Sequence, residues 1–184
     1  MGRLIDRVRT FWFGDPPGEE HPWWFERSDA LDATIAAEFT VDVEAAARGQ
    51  HDALQDTPEG AVTLCILLDQ FPRHIWRGTP RAFATDARAL AVARHAVHRG
   101  LDRALTPPQR LFLYLPFEHA EDRAAQDQAV ALIEATGHAR WIDFAEQHRA
   151  IITRFGRFPH RNAILGRETT LEEAEFLQQP GSSF

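Results

Sequence analysis

The sequence predicts an all-α fold: an antiparallel array of helices packed around two central helices that are apolar on every face. Three observations carry the prediction. Helix-capping residues stand in front of the apolar stretches, glycines close several of those stretches, and the strict alternation of half-buried strands is missing, as are Asn-Gly and Asp-Gly hairpin turns.

The elements follow in order. Ser28 caps a helix through LDATIAAEFTVDVEAAAR that Gly49 closes. Thr57-Pro58-Glu59 sets an N-cap, a proline in the first turn and an acid at the positive helix end before GAVTLCILLDQF. Thr85 opens DARALAVARHAVHR, closed by Gly100. Thr106-Pro107 repeats the cap-proline signal before PQRLFLYLPFEH, where Pro116 is expected to kink or end the helix. EDRAAQDQAVALIEAT ends at Gly137, and Thr170 with Glu173 has capping-box spacing for a last helix. LCILLDQF and LFLYLPF are the central pair. In ARWIDFAEQHRAIITRFG, Trp141, Phe144, His148, Ile151 and Phe155 recur at spacings of three and four, which puts His148 on the buried stripe. The aromatic clusters FWFG and PWWF are expected to close one end of the helical core.

With 184 residues, 44% of them hydrophobic, residues 1–184 are expected to form a single all-helical domain. No apolar run approaches the roughly 18 residues that cross a bilayer, and MGRLIDRVRTFWFG interleaves charge with apolar residues, unlike a signal peptide. A cytoplasmic protein without a membrane partner is the expectation. The one cysteine, Cys65, lies in the apolar run AVTLCILLD, which excludes a disulfide. Every basic residue is arginine, so Schiff-base chemistry, pyridoxal phosphate attachment and a P-loop lysine are excluded. Serine occurs only at 28, 182 and 183, which argues against a serine hydrolase. An enzyme built from this chain would use histidine, carboxylate, water or a metal, and no cofactor is expected.

The charge is unevenly spread. Gln70–Arg81 and Gln147–Arg167 together hold eight of the 20 arginines and no acid, leaving twelve arginines against 27 acids elsewhere. Both windows contain Phe-Pro followed by a basic pair, Arg73-His74 and then His160-Arg161. Proline disfavours helical geometry at the phenylalanine before it, so each pair is expected just past a helix C-terminus. One or two cations there gain only ~0.3–1 kcal/mol from the helix dipole, and the second window alone supplies Arg154, Arg157, His160, Arg161 and Arg167. Their expected partners are Asp69, Glu118, Glu121 and Asp122 at the ends of the central helices.

Burying ions costs several kcal/mol each unless they are paired, so a network of this kind points to a ligand, with a purely structural network as the other reading. Surplus arginine points to an anion, carboxylate or phosphate, which a guanidinium meets with two parallel hydrogen bonds. Arg73, Arg77, Arg157 and Arg161, helped by Arg154 and His160, are the candidate grip; Asn162 and Gln126 add neutral contacts. Glu118, Asp122 and His148 balance charge or move protons, with His148 or His119 as the base if water attacks a bound substrate, and Asp69 is a ligand-binding candidate. The acidic remainder disfavours duplex nucleic acid. A metal-dependent hydrolase is the alternative from FEHAED: on a continuous helix Glu118, Asp122 and Gln126 share a face, and His148 or His160 completes the set, although the spacing matches no strong metal signature.

The segments LLDQFPRHIWRGTPRAFATD, LYLPFEHAEDRAAQDQ and HRAIITRFGRFPHRNAILGRETTLEEAEFL, with FWFG and WWF near the N-terminus, closely resemble the bacterial domain-of-unknown-function family 924 over nearly the whole chain. The resemblance implies a TPR-like helical fold and carries no catalytic residues with it. A TPR-like groove that binds a protein or peptide is therefore a further alternative.

Overall fold

The computed structural model describes residues 2–14 and 20–183. All regular structure among them is helical. The principal helices are α1 (Gly2–Phe13), α2 (Asp29–Ala47), α3 (Pro58–Cys65), α4 (Phe71–Ile75), α5 (Asp86–His98), α6 (Pro107–Glu118), α7 (Arg123–Glu134), α8 (Ala139–Phe155) and α9 (Leu171–Phe176). None of them is long and apolar enough to cross a membrane. The described residues fall into two compact units. The first contains residues up to Arg77 and Arg81–Pro116, and the second contains Gly78–Pro80 and residues from Phe117 onward.

In the first unit the caps act as the sequence predicts. Ser28 Oγ accepts from the Leu31 N–H to start α2, and Thr57 Oγ1 accepts from Gly60 N, with Pro58 in the first turn, to start α3. A Cβ at Gly60 would sit 2.1 Å from the Leu54 carbonyl oxygen, so only glycine lets these two backbones meet. Every residue from Gly60 to Pro72 is buried, as is Leu111–Glu118, confirming the two central apolar stretches. Trp12, Phe13 and Trp24 are buried in an edge-to-face cluster with Phe71 and Phe112, and Trp24 Nε1 donates to the Trp12 carbonyl at 2.9 Å. FWFG and PWWF thus anchor the core.

The Phe-Pro expectation fails at its first occurrence. Phe71 is helical (φ −59°, ψ −36°), and Arg73 and His74 lie inside the last turn of α4 rather than past it. A proline inside a helix lacks an N–H and crowds the carbonyl four residues back, here Leu68. The chain answers by widening to a π turn over Ile66–Gln70, and the Leu68 carbonyl accepts from Thr85 Oγ1 at 2.5 Å. Thr85 precedes α5 but makes no side-chain cap bond to it; its hydroxyl donates to the Leu68 carbonyl.

In the second unit α7 packs against α8. Asp122 caps α7 by accepting from Ala125 N, and the buried stripe of α8 is Trp141, Ala145, His148, Ile151 and Ile152. Gly156, at φ +70°, ends α8 in the left-handed region and turns the chain into the arginine-rich stretch. Phe158 is extended (φ −90°, ψ 107°), so here the basic pair does follow a helix end. Ile151, Ile152 and Phe158 form an apolar cluster with Phe155 and Phe176, and Thr170 with Glu173 completes the capping box of α9.

Candidate functional site

Most of the candidate arginines are already matched by carboxylates of the protein. In the first unit Arg73 grips Asp86 through both Nη atoms (2.9 and 3.0 Å), lies 3.2 Å from Asp69 Oδ1 and donates to the Asp69 carbonyl. Gln70 Nε2 also donates to Asp69. Arg77 grips Asp32 through Nε and Nη2 (2.6 and 2.8 Å), and His74 Nδ1 meets the same carboxylate at 2.7 Å. Burial works to raise the Asp32 carboxyl, but hydrogen bonds from Arg77 and His74 outweigh it and hold it below its ordinary value.

In the second unit Arg157 grips Glu173 through Nε and Nη2 (2.6 and 2.8 Å), Arg154 Nε donates to Glu172, and Arg167 grips Glu121 (2.7 and 3.0 Å). Asn162 joins the same clasp, donating to Glu173 at 3.3 Å and to Thr169 at 3.4 Å. The sequence had suggested Asp69, Glu118, Glu121 and Asp122 as partners. Of the three pairs just named for Arg154, Arg157 and Arg167, only Arg167–Glu121 keeps to that set. Four of the pairing acids, Asp32, Asp86, Glu172 and Glu173, sit in the first turns of their helices, where the positive end of the dipole already favours them.

A different set is brought together inside the second unit. α6 stops at Glu118, two residues after Pro116, and the chain turns through residues 119–122 before Asp122 starts α7. The continuous helix that would have lined up Glu118, Asp122 and Gln126 is therefore broken, and Asp122 is a helix cap. Gln126 Nε2 holds the turn by donating to the Glu118 carbonyl at 2.5 Å and the Ala120 carbonyl at 2.8 Å. Glu121 holds it from the other side, accepting from Phe158 N at 2.8 Å as well as from Arg167. Burial works to raise the Glu121 carboxyl, and Arg167, the Phe158 amide and Arg161 bring it below its ordinary value.

The turn presents Glu118 to His148 of α8. Glu118 is 3% and His148 5% exposed, with Oε1 to Nδ1 at 3.1 Å. The same Nδ1 lies 2.9 Å from the Phe144 carbonyl. Both neighbours are acceptors, so Nδ1 carries the proton and Nε2 keeps its lone pair. Burial, then the neighbouring His119, pushes the imidazole down to about 3, which leaves it neutral at pH 7.

His119 lies beside it, with ring centroids 6.0 Å apart, and Glu118, His119 and His148 each offer a ligand atom within 4.8 Å of the other two. The Phe158 ring is a shared wall: His148 meets it edge-on at 5.6 Å, His160 lies 5.6 Å away, and the buried Arg161 guanidinium stacks over it at 4.5 Å. The charges of Arg161 and His160 both act on His148.

Of the residues that the sequence singles out, the structure brings Glu118, His119, His148 and Arg161 together, and Phe158, the ring they share as a wall, is not among them. The repeated Phe-Pro is the signal in the sequence that marks it. An open groove of about 460 Å³ in the first unit, lined by Asp6, Arg7, Thr10, Phe11, Glu38 and Phe39, contains none of the candidate residues.

A family of bacterial proteins of unknown function, DUF924, matches residues 8–181. The chain belongs to this family. A solved structure of a protein of unknown function from Agrobacterium tumefaciens is similar to it, with 42% identity and a TM-score of 0.88, over 96% of this chain and 98% of that one. No curated protein matches. The all-helical prediction holds across the described residues, and the site has to be argued from its own chemistry.

Proposed function

We propose that this DUF924 protein binds a small anionic molecule, a carboxylate or a phosphate, at the buried centre formed by Glu118, His119, His148 and Arg161 in the second unit. The observation that carries the reading is the Glu118–His148 pair, 3.1 Å apart and almost wholly buried. Apolar residues of similar volume in such a position are often neutral or stabilising, so a fold with this much apolar residue gains little by keeping the pair for stability. Arg161 is the cation of this set, buried and stacked over Phe158.

The division of labour follows from the geometry. Arg161 meets the anion, Phe158 keeps water from the guanidinium face, and Glu118 fixes the His148 ring so that Nε2 accepts. Hydrolysis is the simplest reaction for this set: Nε2 takes a proton from water, the water oxygen adds to the bound carbonyl or phosphoryl centre, and the proton passes to the leaving group. Burial of Glu118 favours this reading over an open peptide-binding groove, which would present its charges to solvent.

Thermal unfolding in the presence of a panel of small carboxylates and phosphates tests the reading. At least one of them should raise the melting temperature of the wild-type protein, and Arg161→Gln and His148→Gln should each abolish the rise. Equal rises in the wild type and both variants would place binding elsewhere, and no rise across the panel would remove the anion.

A further inference from the structure

Glu118, His119 and His148 also have the composition of a metal-ligand set, and the atoms they offer lie within 4.8 Å of one another. Ligand atoms around a tetrahedral ion with bonds of about 2.1 Å stand roughly 3.4 Å apart, a spacing that small side-chain rotations reach from here. We propose that this triad binds one divalent transition-metal ion through His119, His148 Nε2 and the Glu118 carboxylate. The inference rests on the reading above that the centre is a ligand site and names the cofactor that site would use; with an ion bound, the Nε2 lone pair would be a ligand, and the ion in place of Nε2 would activate the water. Two imidazoles and one carboxylate suit zinc, iron or cobalt, whereas magnesium and calcium ask for a shell of oxygens.

Three further features of this turn fit an ion. First, a histidine that binds a metal usually donates its second ring N–H to a carbonyl or carboxylate, which fixes the ring and raises ligand basicity. His148 does so through Nδ1, which lies 2.9 Å from the Phe144 carbonyl.

Second, Gln126 is fully buried, and its amide nitrogen is bound to the carbonyls on either side of His119, while its Oε1 has no hydrogen-bond partner among the described residues. A buried acceptor without a donor is costly. A water on the ion would supply the donor that Oε1 lacks.

Third, the backbone that carries Glu118 and His119 is fixed without any ion, by Gln126 from one side and by Asp122 and Glu121 from the other. Two neighbouring residues at the end of one helix and one residue from the middle of another then form a set that needs little ordering on binding. Arg161 opposes a cation, but Glu121 lies close enough to feel it, and an anion bridging the ion and Arg161 would satisfy both charges.

The test uses untagged, full-length protein stripped with chelator, titrated with Co2+ and then with Zn2+. One equivalent of Co2+ should enter with visible d–d absorption and leave when Zn2+ is added. His119→Gln and His148→Gln should lose the absorption, and Gln126→Leu, which removes a positioning residue, should weaken the affinity by about 10–100-fold. His119 is only partly buried, so its variant is expected to keep the wild-type helical signal and melt, and it carries the test if His148→Gln does not fold. Less than about a tenth of an equivalent of either ion, or equal uptake by His119→Gln, would overturn the inference. The two readings fail separately. Anion-dependent stabilisation without ion uptake removes the ion alone, and ion uptake without anion-dependent stabilisation removes the anion alone.

Discussion

Glu173 illustrates how a single residue can hold charge in this protein without serving a ligand. Its buried carboxylate accepts from Arg157 Nε and Nη2, from Asn162 Nδ2 and from the Thr170 amide. These donors, the Arg157 bonds foremost, hold its pKa at about 2, against an ordinary 4.5. The folded state therefore binds this proton more weakly than the unfolded chain does. The stability that follows is fully present above about pH 4.5 and is lost as pH falls towards 2. Glu173→Gln should be less stable than wild type at pH 7 and should show a shallower loss of stability between pH 4.5 and 2, read from urea unfolding across that range. Parallel pH profiles for the two proteins would show that the clasp does not stabilise the fold. Thr170 and Glu173 are legible as a capping box from their spacing alone, because a cap is local chemistry. That the same glutamate also takes Arg157 and Asn162 is not legible, since those contacts span 16 and 11 residues and depend on how the chain returns after Gly156.

At the level of elements, the π turn over Ile66–Gln70 is where local rules and packing disagree. The sequence rule for a residue before proline is sound, and it describes Phe158. At Phe71 the surroundings override it: the stretch is buried from Gly60 through Pro72, so the chain stays helical and widens, and Thr85 from the start of α5 takes the carbonyl that Pro72 does not serve. Removing that hydroxyl leaves a buried acceptor without its donor. Thr85→Val should cost about 1–3 kcal/mol in urea unfolding, and Thr85→Ser should keep most of the stability. A Thr85→Val protein as stable as wild type would mean that the Leu68 carbonyl has another donor. The capped helices and the two apolar stretches were readable because each rests on a few adjacent residues. Whether α6 would run on into α7 was not, because the break at 119–122 depends on Gln126, Glu121 and Arg167 meeting across the fold.

Across the whole molecule, 27 acids outnumber 20 arginines, and the structure turns most of the candidate cations inward on that surplus. Arg73, Arg77, Arg154, Arg157 and Arg167 each hold a carboxylate, so the concentration of positive charge in two windows is largely a matter of ion pairing within each unit. Glu118, His119, His148 and Arg161 form a separate set around Phe158, buried except for the partly exposed His119. Its members were visible as residue types in three separate motifs, but their meeting was not, because it depends on one turn and one helix register. The central claim is that His148 is a neutral ring held by Glu118 with Nε2 directed to a ligand. Nitrogen-15 spectroscopy of histidine-labelled, chelator-treated protein at neutral pH measures this directly. The account predicts a proton on Nδ1, a bare Nε2, and an Nε2 resonance that moves when an anion from the panel or Zn2+ is added. A proton on Nε2, or a ring that responds to none of them, would contradict it.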